Sequence, residues 1–240
     1  MPAAISVLIP ARDEEERIAR CLTSLAWANE VVILLDDRTG DATAKVAAGF
    51  ANTRVVPVTW EGYGRTKARG VEHTRNEWVF WVDADEVVPE SLRHEIEREF
   101  ATPQTLPDAF DLPRRTWFVD DWILHCGWYP GRVVRLFRKT SASFNDNILH
   151  EGVAVRPGAT LCHLQQDLEH YSFDTIGQFF EKMVRYGPLG ADEALRQGRS
   201  FRLVDLMFRP LFTFFKFYVL RAGFLDGTNG FVVCMGSAFS

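Results

Sequence analysis

Asp83-Ala84-Asp85 follows the apolar run Trp78-Val-Phe-Trp-Val82. In an extended segment, residues i and i+2 point to the same side, so both carboxylates can aim at one point just past a buried strand. Paired carboxylates suit a hard cation such as Mg²⁺ or Mn²⁺, with phosphate oxygens completing the shell. Such a cation would neutralise charge building up on a diphosphate leaving group. A solvated loop or a helix cap is the plainer reading of this tripeptide alone, and its place after an apolar strand favours chemistry. Asp36 and Asp37 also end an apolar run, Val31 to Leu35. A carboxylate there can accept hydrogen bonds from a base N–H or ribose hydroxyls, although Asp36 and Asp41 could simply cap the turn and the next helix. A third polar cluster, Arg12-Asp13-Glu14, follows the run Ile5 to Ile9 and Pro10.

These clusters need strands to hold them. Residues 5–9, 31–35, 54–58 and 78–82 are short β-branched or apolar runs that read as buried strands. Residues 13–27, 41–50 and 64–75 read as helices between them. The acidic run Asp13 to Glu16 suits the positive end of the first helix. Strand-helix alternation predicts an α/β fold with a mostly parallel central sheet flanked by helices. Ligands in such sheets bind beyond the carboxyl ends of the strands, which is where all three polar clusters fall. A further helix is expected over 89–100, a loop over 102–107, and β-like pieces near 110–117, 132–138 and 153–156. From about residue 173 the pattern is helical. The expected division is a nucleotide-binding domain over 1–200 and a C-terminal segment over 201–240.

The bulk numbers fit one large domain or two small ones: 240 residues, 47% hydrophobic, 25% charged. A net charge of −5 argues against a nucleic-acid partner. Cys21, Cys126, Cys162 and Cys234 are far apart, which predicts neither a disulfide framework nor a zinc knuckle and makes the cytoplasm the default compartment. The N-terminal run lacks the basic start of a signal peptide, and no stretch of about 20 apolar residues is present.

Taken in order, Pro10-Ala-Arg-Asp-Glu14, Asp36-Asp-Arg-Thr-Gly-Asp41-Ala-Thr43 and Asp83-Ala-Asp85 resemble the inverting glycosyltransferase family 2 with its GT-A fold. Trp60-Glu-Gly-Tyr-Gly64, Gly127-Trp-Tyr-Pro130, Arg135-Leu-Phe137, His150-Glu-Gly152 and Gly223-Phe-Leu-Asp-Gly227 resemble the branch containing lipopolysaccharide core-biosynthesis glucosyltransferases. The resemblance spans essentially the whole chain, with each motif weak alone and the order specific. It implies a nucleotide diphosphate sugar donor, a UDP-sugar first, and a saccharide or lipid-linked acceptor. By the same resemblance, Pro10, Arg12 and Glu14 line the nucleotide pocket, with Ala84 beside them. Asp37 contacts the base, and Lys67 or Arg69 the base or phosphates. Asp83 sits near the ribose and metal, Asp85 binds the metal, and Glu151 is the catalytic base. The chain departs from the pattern at Asp13, where many members have Asn. It also reads Asp36-Asp-Arg-Thr where the branch often has Asp-Ser-Gly-Ser.

An inverting transfer needs a base opposite the leaving group and an electrophile on the leaving diphosphate. Glu151 follows a mixed apolar stretch and precedes Gly152, which lets backbone approach closely. His150 could orient the acceptor or Glu151, and His170 could supply a third metal ligand, as a late histidine does in some GT-A enzymes. Trp128 and Tyr129 are candidate acceptor platforms, because aromatic rings offer large, rigid apolar faces. Arg132 and Arg135 could hold an anionic acceptor or the pyrophosphate.

Residues 201–221 are rich in Phe and Leu, with Arg202, Asp205, Arg209 and Lys216 on one stripe. Pro210 is expected to kink or break this helix. A wide apolar face with a basic stripe suits a helix lying in a membrane interface, so a peripheral place on the inner face of the cytoplasmic membrane is expected. Burial against the domain, or in an oligomer contact, is the alternative. Two other functions share some of these features. A sugar nucleotidyltransferase would carry a Gly-rich basic loop where this chain has Arg12-Asp-Glu-Glu-Glu16. A non-catalytic sugar-nucleotide binder would bind without turnover. No G-x-G-x-x-G follows the first strand, which disfavours a dehydrogenase.

Overall fold

The computed structural model describes residues 4–101, 106–145, 152–196, 198 and 203–239. The first part of the chain runs β1 (Ile5–Ala11), α1 (Ile18–Ser24), β2 (Glu30–Asp36), α2 (Thr43–Ala47), β3 (Thr53–Val58), α3 (Tyr63–Glu72), β4 (Trp78–Trp81), β5 (Glu86–Val87) and α4 (Glu90–Ala101). Then follow β6 (Ala109–Leu112), β7 (Arg114–Phe118), β8 (Asp121–Ile123), β9 (Val133–Arg138), β10 (Ala142–Phe144), β11 (Val153–Val155), β12 (Leu161–His163) and β13 (Leu168–Phe173). Three helices close the chain: α5 (Ile176–Arg196), α6 (Leu203–Phe215) and α7 (Gly227–Phe239).

The chain divides into two compact units, residues 1–113 with 132–169, and residues 114–131 with 170–240. Neither unit is continuous in sequence, so they do not coincide with a division at residue 200.

The first unit is built on a seven-stranded sheet in the order β12-β6-β9-β4-β1-β2-β3. β1 pairs in parallel with β2 and β4, β2 with β3, and β12 with β6. β9 runs antiparallel to both β4 and β6, so the sheet is mostly parallel. Alternation along the strands fills two faces. Val7 and Ile9 of β1 and Val31 and Ile33 of β2 enter one core with α1 and α4 residues. Leu8, Val32 and Leu34 enter the other, with Trp81 and Phe137. Both faces are apolar because helices cover both, which is why these strands read as continuous hydrophobic runs.

α3 lies unusually close to the sheet. A Cβ on Gly70 would stand 2.2 Å from Leu34 Cδ1 and 3.1 Å from Leu8 Cδ1. The missing side chain seats the helix against β1 and β2, and that seating matters for Lys67, one turn earlier.

The second unit holds the β7–β8 hairpin, with β13 beside β7. Phe118, Ile123, Cys126, Phe173 and Phe179 form its core with Val233 and Cys234 of α7. Gly223-Phe-Leu-Asp-Gly227 is a staple. The Asp226 carboxylate accepts from His125 N at 2.9 Å and lies 2.7 Å from His125 Nδ1. A Cβ on Gly230 would meet Gly223 O at 2.0 Å. α6 runs on through Pro210 rather than breaking there, and a π-helical segment, Lys216–Leu220, follows it. Among the described residues, no helix is long and apolar enough to cross a membrane.

The first helix is shorter than the sequence suggests. Asp13 to Glu16 precede α1 and do not form its first turn. Their hydrogen-bonding groups go instead to the loop after β2: Asp13 Oδ1 accepts from Gly40 N at 2.9 Å, and Glu15 Oε2 from Ala42 N at 2.8 Å. Glu14 N donates to Thr43 Oγ1 at 2.8 Å. Bonding to a neighbouring loop outcompetes one more helical turn.

Candidate active site

The ends of β1, β2 and β4 bring Arg12 to Glu14, Asp36-Asp37 and Asp83 to Asp85 to one edge of the first unit's sheet. β4 stops at Trp81, and the chain turns at Ala84 and Asp85, with Glu86 N donating to Asp83 O at 3.0 Å. The two aspartates therefore sit in a turn, which corrects the extended geometry expected from i, i+2 spacing.

Asp83 is held by two buried cations. Lys67, with a side chain 1% exposed, places Nζ 3.3 Å from Asp83 Oδ1. Arg135, 0% exposed, places Nη2 3.4 Å from Asp83 Oδ2 and 2.6 Å from Glu86 Oε1. Glu86 also accepts from Asp83 N, at 2.8 Å through Oε2. Trp81 lies against both cations: Lys67 Nζ is 3.8 Å from its ring centroid and the Arg135 guanidinium carbon 3.4 Å. Cation–π contact compensates part of the desolvation that burying these charges costs. Trp81 is itself oriented by a 2.9 Å bond from Nε1 to Val134 O.

Lys67, Arg135, Asp83 and Glu86 balance one another in formal charge. Asp85 and Glu14 add two further carboxyls to this edge. Glu14 is partly buried, and its carboxyl is pushed up to about 7, first by burial and then by Asp85, with Asp83 and Asp41 adding and Arg17 opposing. Burial is the larger cause, and the neighbouring carboxylates add to it, so protonation of Glu14 is favoured at this edge.

At the end of β2 the two aspartates differ. Asp36 is buried and taken up by Arg38, which donates from Nε at 2.9 Å and Nη2 at 2.7 Å, with Arg38 N adding a third bond at 3.0 Å. The Arg38 hydrogen bonds hold the Asp36 carboxyl down at about 2 against the opposing effect of burial, and Arg12 at 3.9 Å adds a smaller pull. Its carboxylate shapes the turn. Asp37 is exposed and accepts from Thr59 Oγ1 at 2.8 Å. Thr59 lines a cavity of about 450 Å³ with Val58, Glu61, Thr66, Arg69 and His73. Arg69 reaches Glu61 at 2.7 Å on this rim. Pro10 and Ala84 are buried backbone positions beneath the edge.

Other expected residues fall elsewhere. Arg135 does not face solvent, so its part is to position Asp83 rather than to meet an acceptor. Arg132 is bonded to Asp111 at 2.6 Å and to Leu164 O at 2.7 Å, a structural tie inside the first unit. His150 and Glu151 lie outside the described residues. His170, Trp128 and Tyr129 belong to the second unit. Trp128 packs on Phe118, Phe173 and Phe179, and His170 lies with both ring nitrogens 2.8 Å from Ser172 Oγ. Among the described residues, no three His, Cys, Asp or Glu side chains converge to hold a metal by themselves. Sequence reasoning missed Glu86 and Trp81. The adjoining Glu in Asp83-Ala-Asp-Glu86 was the available signal for the first, and the ring before the turn for the second.

Residues 6–121 match the family model Glycosyl transferase family 2. An uncharacterized glycosyltransferase of Rickettsia typhi is 28% identical over 98% of this chain and 83% of its own. The lipopolysaccharide core biosynthesis glycosyltransferase LpsC of Rhizobium meliloti is 25% identical over 98% of this chain and 87% of its own. Among solved structures, S. aureus TarS 1-349 is 15% identical with a TM-score of 0.46, covering 75% of this chain and 63% of that one. Glucosyl-3-phosphoglycerate synthase from Mycobacterium tuberculosis, solved with Mn²⁺, UDP and phosphoglyceric acid, is 19% identical with a TM-score of 0.38, covering 48% and 43%. The chain spans less than two thirds of the length of those two solved chains. The three polar clusters lie inside the stretch that matches the family 2 model, and the relatives similar to this chain over nearly its whole length are glycosyltransferases.

Proposed function

We propose that the protein moves a hexose from a nucleotide diphosphate sugar, UDP-linked first, to a lipopolysaccharide-core or other lipid-linked saccharide, with inversion. The observation that carries the donor side is Asp83, held from both oxygens by Lys67 and Arg135, with the carboxyls of Asp85 and Glu14 near it. A divalent cation fits this arrangement in one mode: two carboxylates plus substrate phosphates, as Mg²⁺ commonly binds, rather than an all-protein cage. Asp83 and Asp85 would hold it, and when bound it would supply positive charge to the departing diphosphate. Lys67 and Arg135 fix Asp83 so that it need not reorganise when substrate arrives. Asp37 and the cavity beside Thr59 suit the nucleoside, with Arg12 and Arg69 at hand for its polar groups.

Glu151 takes the proton of the acceptor hydroxyl in this reading, and His150 orients it. The likeness to LpsC supports the acceptor class. The membrane side rests on α6. Leu206, Met207, Phe208, Leu211 and Phe212 are each 60% or more exposed, while Phe214 packs inward on the second unit's core. Arg209, Lys216 and Arg221 are exposed on the same stretch, which suits anionic lipid.

The test is transfer from UDP-glucose to a lipopolysaccharide-core saccharide by wild type, Asp85→Ala and Glu151→Gln. Asp85→Ala should lose metal-dependent transfer, and Glu151→Gln should keep UDP binding yet lose transfer by about 100-fold or more. Near-normal turnover in either variant removes that residue from the mechanism.

A further inference from the structure

The four cysteines are scattered along the chain, and the fold brings two of them together. Cys126 follows β8 and Cys234 lies in α7, 108 positions apart, yet their Sγ atoms stand 3.4 Å from each other in the core of the second unit. Both are buried. The surroundings are shaped to the pair. A Cβ on Gly223 would stand 2.7 Å from Cys234 Sγ and 2.9 Å from Cys126 Sγ, so this glycine leaves the room that the two sulfurs fill. Cys126 has a φ of +58°, in the left-handed region that a residue with a Cβ seldom adopts. Such strain persists only where the surrounding structure over-determines it, and here it brings the Cys126 thiol to Cys234. Cys126 Sγ also lies 3.6 Å from Asp226 Oδ2, and the other oxygen of that carboxylate is 2.7 Å from Nδ1 of the partly exposed His125. A carboxylate and an imidazole thus lead from the buried thiol towards solvent.

We propose that Cys126 and Cys234 form a redox site: a peroxide joins them in a disulfide that ties α7 to the turn after β8, and a thiol reductant releases it. The peroxide takes one sulfur to a sulfenic acid and leaves as one water, and the other sulfur then displaces a second water. Two S–H bonds and the O–O bond break, and one S–S bond forms. The two sulfurs lose two electrons in all, and the peroxide gains them as two waters. Asp226 receives the Cys126 proton, which ends in water. Bond formation draws the sulfurs closer by roughly 1.4 Å, a side-chain movement. Burial pushes both thiols above their ordinary range, so the pair stays reduced until an oxidant arrives and then reacts slowly. Under reducing conditions the site returns to two thiols, the usual behaviour of a transient, redox-sensing pair. The disulfide closes a long loop, which constrains the unfolded chain and so stabilises the fold.

The test treats the full chain with hydrogen peroxide, alkylates it without reductant, and maps the digested peptides by mass spectrometry, with melting temperature followed in parallel. Peroxide is raised until Cys162, which is only partly buried, is oxidised. The peptides of Cys126 and Cys234 should then appear cross-linked, the melting temperature should rise by about 5 °C or more, and dithiothreitol should reverse both. Cys21 is equally buried but has no second thiol beside it among the described residues, so it should remain a thiol. Oxidised Cys162 with Cys126 and Cys234 both still alkylated overturns the proposal. So does a cross-link that runs through Cys21 or Cys162 instead. Cys234→Ser should lose the cross-link and the rise in melting temperature while Cys162 is still oxidised, and a rise that survives in this variant also overturns the proposal. The wild-type peptide map decides the matter even where the variant folds poorly.

Discussion

Lys67 and Asp83 meet at 3.3 Å with the lysine side chain 1% exposed, so a buried ammonium holds one oxygen of the carboxylate that leads the β4 turn. The lysine reaches it because Gly70 lets α3 settle onto Leu34 and Leu8. Arg135 takes the other oxygen. The placement of Asp83 therefore depends on residues from a helix and from an antiparallel strand.

Lys67→Met removes one of the two cations on Asp83 and should destabilise the fold, by less than the about 3–5 kcal/mol of a wholly buried pair because Asp83 is partly exposed and keeps Arg135. The double variant Lys67→Met, Asp83→Asn should recover part of that loss. Urea denaturation of the two singles and the double gives the coupling directly, and purely additive losses would mean the pair is not energetically linked.

Glu14 gives a pH signature. Its carboxyl sits at about 7 in the folded chain against an ordinary 4.5, so the folded state binds the proton more tightly than the unfolded one. That contribution to stability is whole below the ordinary value and is lost as pH rises through about 7. Glu14→Gln mimics the protonated form. It should match wild type near about pH 4 and be more stable by on the order of 1–3 kcal/mol near about pH 8 without divalent metal. Equal melting temperatures at the higher pH would show that Glu14 is not under this load.

Gly70→Ala adds a methyl where Leu34, itself wholly buried, already stands. A helix normally gains from alanine, but here overpacking should dominate and cost about 1–3 kcal/mol. Denaturant midpoints decide the sign, and a stabilised variant would mean that α3 can lift from the sheet freely.

Reversing Arg209 and Lys216 to Glu should weaken binding to phosphatidylserine-containing vesicles by about fivefold or more, since each basic residue near such a surface contributes about 1 kcal/mol. Co-sedimentation at low and high salt measures it. Unchanged binding would turn the exposed face of α6 toward another occupant.

The strands were legible because β1, β2 and β4 are buried on both faces and read as apolar runs, and the polar clusters at their ends followed from that. Pairing at long range was not legible. Nothing local in Val133 to Arg138 says that it enters the sheet antiparallel between β4 and β6, and so Arg135 reads as a surface charge although it lies beneath Asp83. The acidic run after β1 has the composition of a helix start, and only the neighbouring loop at residues 37–43 claims its bonds instead. In the second unit, Arg114-x-Thr116 and His170-x-Ser172 are far apart in sequence. They form one pocket wall only because β7 and β13 are neighbours.

The most direct test of the central claim is calorimetric titration of UDP, GDP, ADP and CDP into wild type and Asp85→Ala, with and without Mn²⁺. One nucleotide, UDP first, should bind wild type with an affinity that Mn²⁺ raises by about tenfold or more, and Asp85→Ala should lose that gain. Binding of none of the four, or binding indifferent to both Mn²⁺ and Asp85, would contradict a metal-assisted nucleotide diphosphate site at the end of β4.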